Sequence, residues 1–102
     1  MPSYLIGRGE QNDILLSNTS VSRQHAELID EGAGAYRLRD LGSINGTFYF
    51  GMDGWAPATF AKLDADDLVR IGKYETSITA LLNSVGVKPV RKPKDDETES
   101  NR

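Results

Sequence analysis

Apolar positions in this chain come in short runs, each closed by glycine, asparagine, aspartate or serine. Ser3–Arg8 carries Tyr4, Leu5 and Ile6 into Gly7, and Asp13–Leu16 follows. Ala26–Asp30 and Ala35–Asp40 flank Glu31-Gly32-Ala33-Gly34. Glycine supplies the positive φ that such a hairpin turn demands. Thr47–Phe50 is rich in aromatics, and Met52-Asp53-Gly54-Trp55 is a second turn signal. Thr59–Leu63 is a further strand, and Leu68–Ile71 pairs with Thr76–Leu82 around Gly72-Lys73-Tyr74-Glu75. Short alternating runs at this spacing predict an all-β fold, a two-sheet antiparallel β-sandwich. The pattern stops near Asn83. Residues 1–83 are expected to form one domain, and residues 84–102, with Pro89, Pro93 and interspersed charge, a disordered polar tail.

Composition narrows the function. The chain has 102 residues, 38% hydrophobic and 26% charged, with a formal charge of −3. That is a single small soluble domain, and its acidity argues against a nucleic-acid or anionic-membrane surface. Without cysteine there is no disulfide framework, thiolate metal site or thiol nucleophile. No metal or cofactor is expected. No run is long enough to cross a membrane, and Met1–Ile6 is too short for a secretory signal, so a cytoplasmic chain is expected.

Three motifs place polar groups at strand ends. In Gly7-Arg8, followed by Gly9, a tight backbone projects a guanidinium whose planar donors suit two oxyanion oxygens at once. Taken alone, it is equally a strand end with a solvated arginine. Ser22-Arg23-Gln24-His25 closes the loop Ser17–Val21. It offers a hydroxyl and a second cation, although a polar turn has this composition too. Asn45-Gly46-Thr47 supplies an amide that both donates and accepts, suited to clamping an extended peptide. His25 is the single histidine. With no nucleophile and carboxylate placed beside it, it reads as a loop-structural residue, and no catalytic residue is assigned. Phe48, Tyr49, Phe50 and Trp55 read mostly as core.

In order and spacing these motifs resemble the forkhead-associated (FHA) domain. The resemblance runs from about Leu5 to Leu82. It includes Gly7-Arg8, Asn12-Asp13-Ile14, Val21-Ser22-Arg23-Gln24-His25, Asp40-Leu41-Gly42-Ser43-Ile44-Asn45-Gly46-Thr47-Phe48 and Asp67-Leu68-Val69-Arg70-Ile71-Gly72. It implies a β-sandwich whose loops at one end bind a phosphothreonine peptide of a partner protein, without catalysis. Arg8, Ser22 and Arg23 would contact phosphate, and Asn45 would hold the peptide main chain. Ser20 would contribute to selectivity, while Gly7, His25 and Gly46 would shape the loops.

Two features depart from the family pattern. Ile44 stands where a small hydroxylated residue is usual. Only six residues precede Gly7, so the strand that leads the family fold is expected to be missing. A homodimer through a sheet edge, or a strand donated by a partner, is expected in its place. These departures favour a rival reading, a phospho-independent structural or assembly module. A speculative further site is Thr98, among Asp95, Asp96, Glu97 and Glu99; phosphorylated, it would occupy the chain's own pocket or that of a neighbour, although a solubilising tail is the plainer reading.

Overall fold

A computed structural model describes residues 1–87. Nine strands and one short helix follow in order: β1 (Ser3–Gly7), β2 (Ile14–Leu15), β3 (Ala26–Gly32), β4 (Ala35–Asp40), β5 (Thr47–Gly51), β6 (Gly54–Pro57), β7 (Ala61–Asp64), β8 (Leu68–Ile71), β9 (Tyr74–Ser77) and α1 (Ile78–Asn83). They form two sheets, ordered β2-β1-β3-β4-β7 and β6-β5-β8-β9. All pairings are antiparallel except β1 with β2.

Alternation explains which residues face inward. Ile6, Ala26, Leu28, Leu38 and Leu63 come from the first sheet, Val69 and Ile71 from the second, and all are buried. Ile14, Leu16 and Val21 close the loop end of the same core. Glu27 and Arg39 lie opposite each other in the β3–β4 register and form an ion pair on the outer face.

Two sequence expectations change. Thr76–Leu82 is not one strand: β9 ends at Ser77 and α1 begins at Ile78. Ser77 is an N-cap in extended backbone, and its side chain accepts from the Ala80 N–H. Ile78 and Leu81, three residues apart, are buried on one helical face, with Leu82 half-buried beside them. The Thr-Ser-Ile-Thr segment carries the β-branched signature of a strand, and packing overrides that propensity. The aromatic group is also less buried than expected. Tyr49 packs against the core, but Phe50 is half exposed and meets Trp55 edge-on, 5.2 Å between ring centroids. Arg70 stacks over Trp55 on that outer face. The strand β6, read from sequence only as part of a turn, aligns Trp55 opposite Phe50.

The segment that carries Gly7, β1, lies inside the first sheet between β2 and β3, and β9 forms an edge of the second. Most of the tail expected over residues 84–102, with Thr98, lies outside the described residues.

Candidate functional site

Four connections meet at one end of the sandwich: β1–β2, β2–β3, β4–β5 and β8–β9. The first two are laced by backbone. The Arg8 N–H donates to the Ser22 carbonyl at 2.9 Å and the Gly9 N–H to the Arg23 carbonyl at 3.1 Å. Asn12, nearly buried, donates its amide to the Gly9 and Arg23 carbonyls at 2.7 and 2.6 Å. Gly7 permits this approach, because a Cβ there would stand 2.2 Å from the Arg23 oxygen. The requirement is space, not a special backbone angle.

This lacing orients the cations. Arg8 is exposed, and its Nε donates to the Val21 carbonyl at 2.9 Å. One end of the guanidinium is thereby anchored, and Arg8 forms no ion pair with a carboxylate of the described residues. Arg23 is exposed and likewise unpaired among those residues. The other three described arginines, Arg37, Arg39 and Arg70, pair with Glu31, Glu27 and Glu75.

His25 is fully buried and joins the two central loops. The Ser22 N–H donates to its Nδ1 at 2.9 Å, and its Nε2 lies 2.8 Å from the Gly46 carbonyl. Because a carbonyl only accepts, Nε2 carries the proton and the ring is the neutral tautomer. Both nitrogens serve backbone groups, and neither faces the Ser22 hydroxyl. That hydroxyl accepts from the Ile44 N–H at 3.2 Å, which leaves its own hydrogen to donate.

The β4–β5 loop is built around Asp40. Its carboxylate accepts from the Gly42 and Ser43 N–H groups and from the Ser43 and Thr47 hydroxyls. The Ser43 hydroxyl in turn accepts from the Gly46 N–H at 2.9 Å. Partial burial pushes the Asp40 pKa up, but the two hydroxyls and two N–H groups outweigh it, holding the carboxyl below its ordinary 3.8. A depressed native pKa adds stability above the unfolded value, about 3.9, and that stability disappears as pH falls through the native value. Asp40→Asn should therefore lower stability at neutral pH and flatten its decline between about pH 5 and pH 2. Urea titrations at several pH values check this; parallel slopes for the two proteins would sink it.

Asn45, at the loop tip, donates its amide to the Ser20 carbonyl at 2.8 Å. That carbonyl needs a donor, so the Asn45 nitrogen faces inward and Oδ1 is left to accept from a ligand. The Ser20 hydroxyl is occupied as well. It donates to Asn18 Oδ1 at 2.7 Å and accepts from the Lys73 N–H at 2.8 Å. Gly72, at φ +62, lies so close that a Cβ would be 2.4 Å from the Ser20 oxygen. Ile44 projects beside Ser22 and is 90% exposed.

The nine residues that sequence offered as binding or loop-structural thus gather at this end. Arg8, Arg23, Ser22, Asn45 and Ile44 are at its surface, Ser20 is a latch between loops, and Gly7, His25 and Gly46 lie beneath. Sequence reasoning gave no role to Asp40, Asn12, Thr47, Gly72 or Lys73. The Asp40-x-Gly42-Ser43 spacing, an Asx turn in form, was the available signal for one of them.

Two packed, mostly antiparallel sheets with polar loops gathered at one end define a β-sandwich. The chain belongs to the FHA domain family, whose model matches residues 4–72. It is 40% identical over 73 residues to the glycogen accumulation regulator GarA of Mycolicibacterium smegmatis, covering 72% of this chain and 43% of that protein. The solved FHA domain of FhaA, complexed with the intracellular domain of Rv3910, is 37% identical with a TM-score of 0.62, covering 72% of this chain and 75% of that one. Mycobacterium tuberculosis EmbR, solved with a low affinity phosphopeptide, is 33% identical with a TM-score of 0.63, covering 74% and 19%. The chain spans less than half the length of the curated relatives it matches.

Proposed function

We propose that this domain binds phosphothreonine-containing segments of a protein partner, in the cytoplasm and without catalysis. The observation that carries the reading is the division among the arginines. Those on the sheet faces are neutralised by glutamates, while Arg8 and Arg23, at the loop end, have no carboxylate partner among the described residues. Two guanidiniums, the Ser22 hydroxyl and an outward amide oxygen make a donor-rich cradle for a phosphoryl group with an acceptor for peptide N–H beside it. EmbR, solved with a phosphopeptide, and the FhaA domain, solved with another protein's intracellular domain, support the reading of this fold as a partner-binding module. Phosphate would sit against Arg8, Ser22 and Arg23, with Asn45 on the peptide main chain.

Calorimetry with matched phosphothreonine, phosphoserine and unmodified threonine peptides tests the proposal. Binding in the micromolar range, about −8 kcal/mol, is expected for the first. Ser22→Ala should remove a hydroxyl–phosphate bond and cost about 1.5–3 kcal/mol of that affinity. The second reading, a phospho-independent assembly module, draws on the fully presented apolar Ile44 beside Ser22. Equal affinity for phosphorylated and plain peptides would favour it and remove the first.

A further inference from the structure

Asn45 and Gly46 carry a chemistry that binding does not use. They form the one Asn-Gly step of the chain. In such a step the backbone nitrogen of the glycine can attack Cγ of the asparagine side chain, because no Cβ on the glycine stands in the way. The bond from Cγ to the side-chain nitrogen breaks, ammonia leaves, and a five-membered succinimide remains. Water then opens the ring at one of its two carbonyls. The products are aspartate, or isoaspartate with one extra carbon in the main chain. Asparagine and water thus become acid and ammonia, with no other reactant.

Both reacting groups are held by other partners. Asn45 is exposed, so water reaches it. Its amide nitrogen is bonded to the Ser20 carbonyl at 2.8 Å, which fixes the side chain. The Gly46 N–H donates to the Ser43 hydroxyl at 2.9 Å, and that hydroxyl is itself fixed by the Asp40 carboxylate. The Gly46 carbonyl accepts from the Gly72 N–H at 2.9 Å and lies 2.8 Å from His25 Nε2. The attacking nitrogen has to give up its proton, which breaks the Ser43 bond. Bringing Cγ to bonding distance draws the amide away from Ser20. A step that is labile in an unfolded chain is therefore clamped on both sides here.

We propose that Asn45 is a modification site, where loss of ammonia converts it to a carboxylate, and that Ser43 is the positioning residue that sets the rate by holding the Gly46 N–H. Conversion follows local opening of the β4–β5 loop. Aspartate has no N–H for the Ser20 carbonyl and sets two acceptors against each other. Isoaspartate lengthens the main chain between the Ser20 latch and the Gly46 clamp. Either product places a negative charge in the loop whose Ile44 N–H meets the Ser22 hydroxyl. The resulting loss of phosphopeptide affinity rests on the phosphothreonine reading; the modification itself does not.

The test incubates the full chain at mildly alkaline pH, native and in urea. Peptide mapping by mass spectrometry follows conversion at Asn45, and chromatography separates aspartate from isoaspartate. The urea-unfolded chain should convert readily, and the native chain about tenfold more slowly or less. Ser43→Ala should speed native conversion about fivefold, the population shift for one lost hydrogen bond. Ser43→Thr keeps a hydroxyl and should stay slow. A second measurement needs no variant. Hydrogen exchange of the Gly46 amide requires the same opening, so exchange and conversion should rise together along a sub-denaturing urea series. No conversion in urea would overturn the chemistry. A native rate equal to the unfolded one would show that the clamp does nothing. Equal native rates for Ser43→Ala and wild type, or conversion that stays flat while Gly46 exchange rises, would remove the control by Ser43. Asn45→Asp, the product itself, should bind a phosphothreonine peptide about tenfold more weakly, since it sets like charges together. Undiminished affinity would overturn that consequence. If the wild-type chain binds no phosphopeptide, the phosphothreonine reading fails, and the mass data still decide the modification.

Discussion

Replacing Arg8 with alanine is expected to weaken phosphothreonine-peptide binding by about 2–5 kcal/mol, the range for truncating one member of a close charge pair. Its Nε is already committed to the Val21 carbonyl, so the guanidinium plane is held before any ligand arrives. Little ordering entropy remains to be lost on binding. The fold should survive, since Arg8 is exposed and the lost neutral-acceptor bond is worth only about 1 kcal/mol. Arg8→Lys is the sharper comparison. It keeps the charge, but an ammonium has no second nitrogen to tether the stem to Val21 while the tip faces phosphate. We expect the lysine variant to bind nearly as poorly as the alanine variant. Calorimetry against one phosphopeptide, with urea unfolding as the control for folding, checks both. Wild-type affinity in Arg8→Ala would remove Arg8 from the site, and full rescue by lysine would mean that charge alone, not geometry, is read.

How far the sequence reveals this arrangement depends on the kind of signal each residue carries. The strands were legible where a short apolar run is closed by turn residues, as in Ala35–Asp40, whose bounds coincide with β4. They were not legible at the last described element. There β-branched residues favour an extended reading, while Ser77 as N-cap and the buried Ile78 and Leu81 produce a helix. That Arg8, Ser22 and Asn45 belong together was legible because they sit in short motifs with fixed order, and the fold gathers their loops at one end. Their support was not. Nothing in the string Asn12-Asp13-Ile14 announces that the Asn12 amide will clamp the Arg23 backbone. Likewise, Lys73 meets Ser20 across more than fifty residues of sequence. Interactions between loops depend on register and sheet packing, which no local pattern encodes. Ser20 illustrates the difference: a hydroxyl that sequence assigns to ligand selectivity has both its donor and an acceptor lone pair engaged within the protein.

His25→Ala should be the most damaging single change to the loop framework. The ring is fully buried and bridges the Ser22 N–H to the Gly46 carbonyl. Removing it leaves those two backbone groups without their partner in a site closed to water, at about 1–3 kcal/mol for an unsatisfied buried group. A cavity of nearly imidazole size adds to that cost. We expect a total loss of about 2–4 kcal/mol of folding stability, limited by how far the loops collapse into the gap. A small domain has little stability in reserve, so the variant should be marginal at physiological temperature. Binding should fall as well, because Ser22 and Asn45 are held in register through the same ring. The Ser22 amide should lose protection from hydrogen exchange, while amides in the β3–β4 hairpin, away from the loops, keep theirs relative to the lowered global stability. His25→Gln separates bridging from bulk: it retains a donor and an acceptor on a chain of similar length, and should recover part of the stability. Hydrogen exchange together with urea unfolding measures both effects. A His25→Ala protein within about 0.5 kcal/mol of wild type, with the Ser22 amide still protected, would show that the loops hold their shape without the ring.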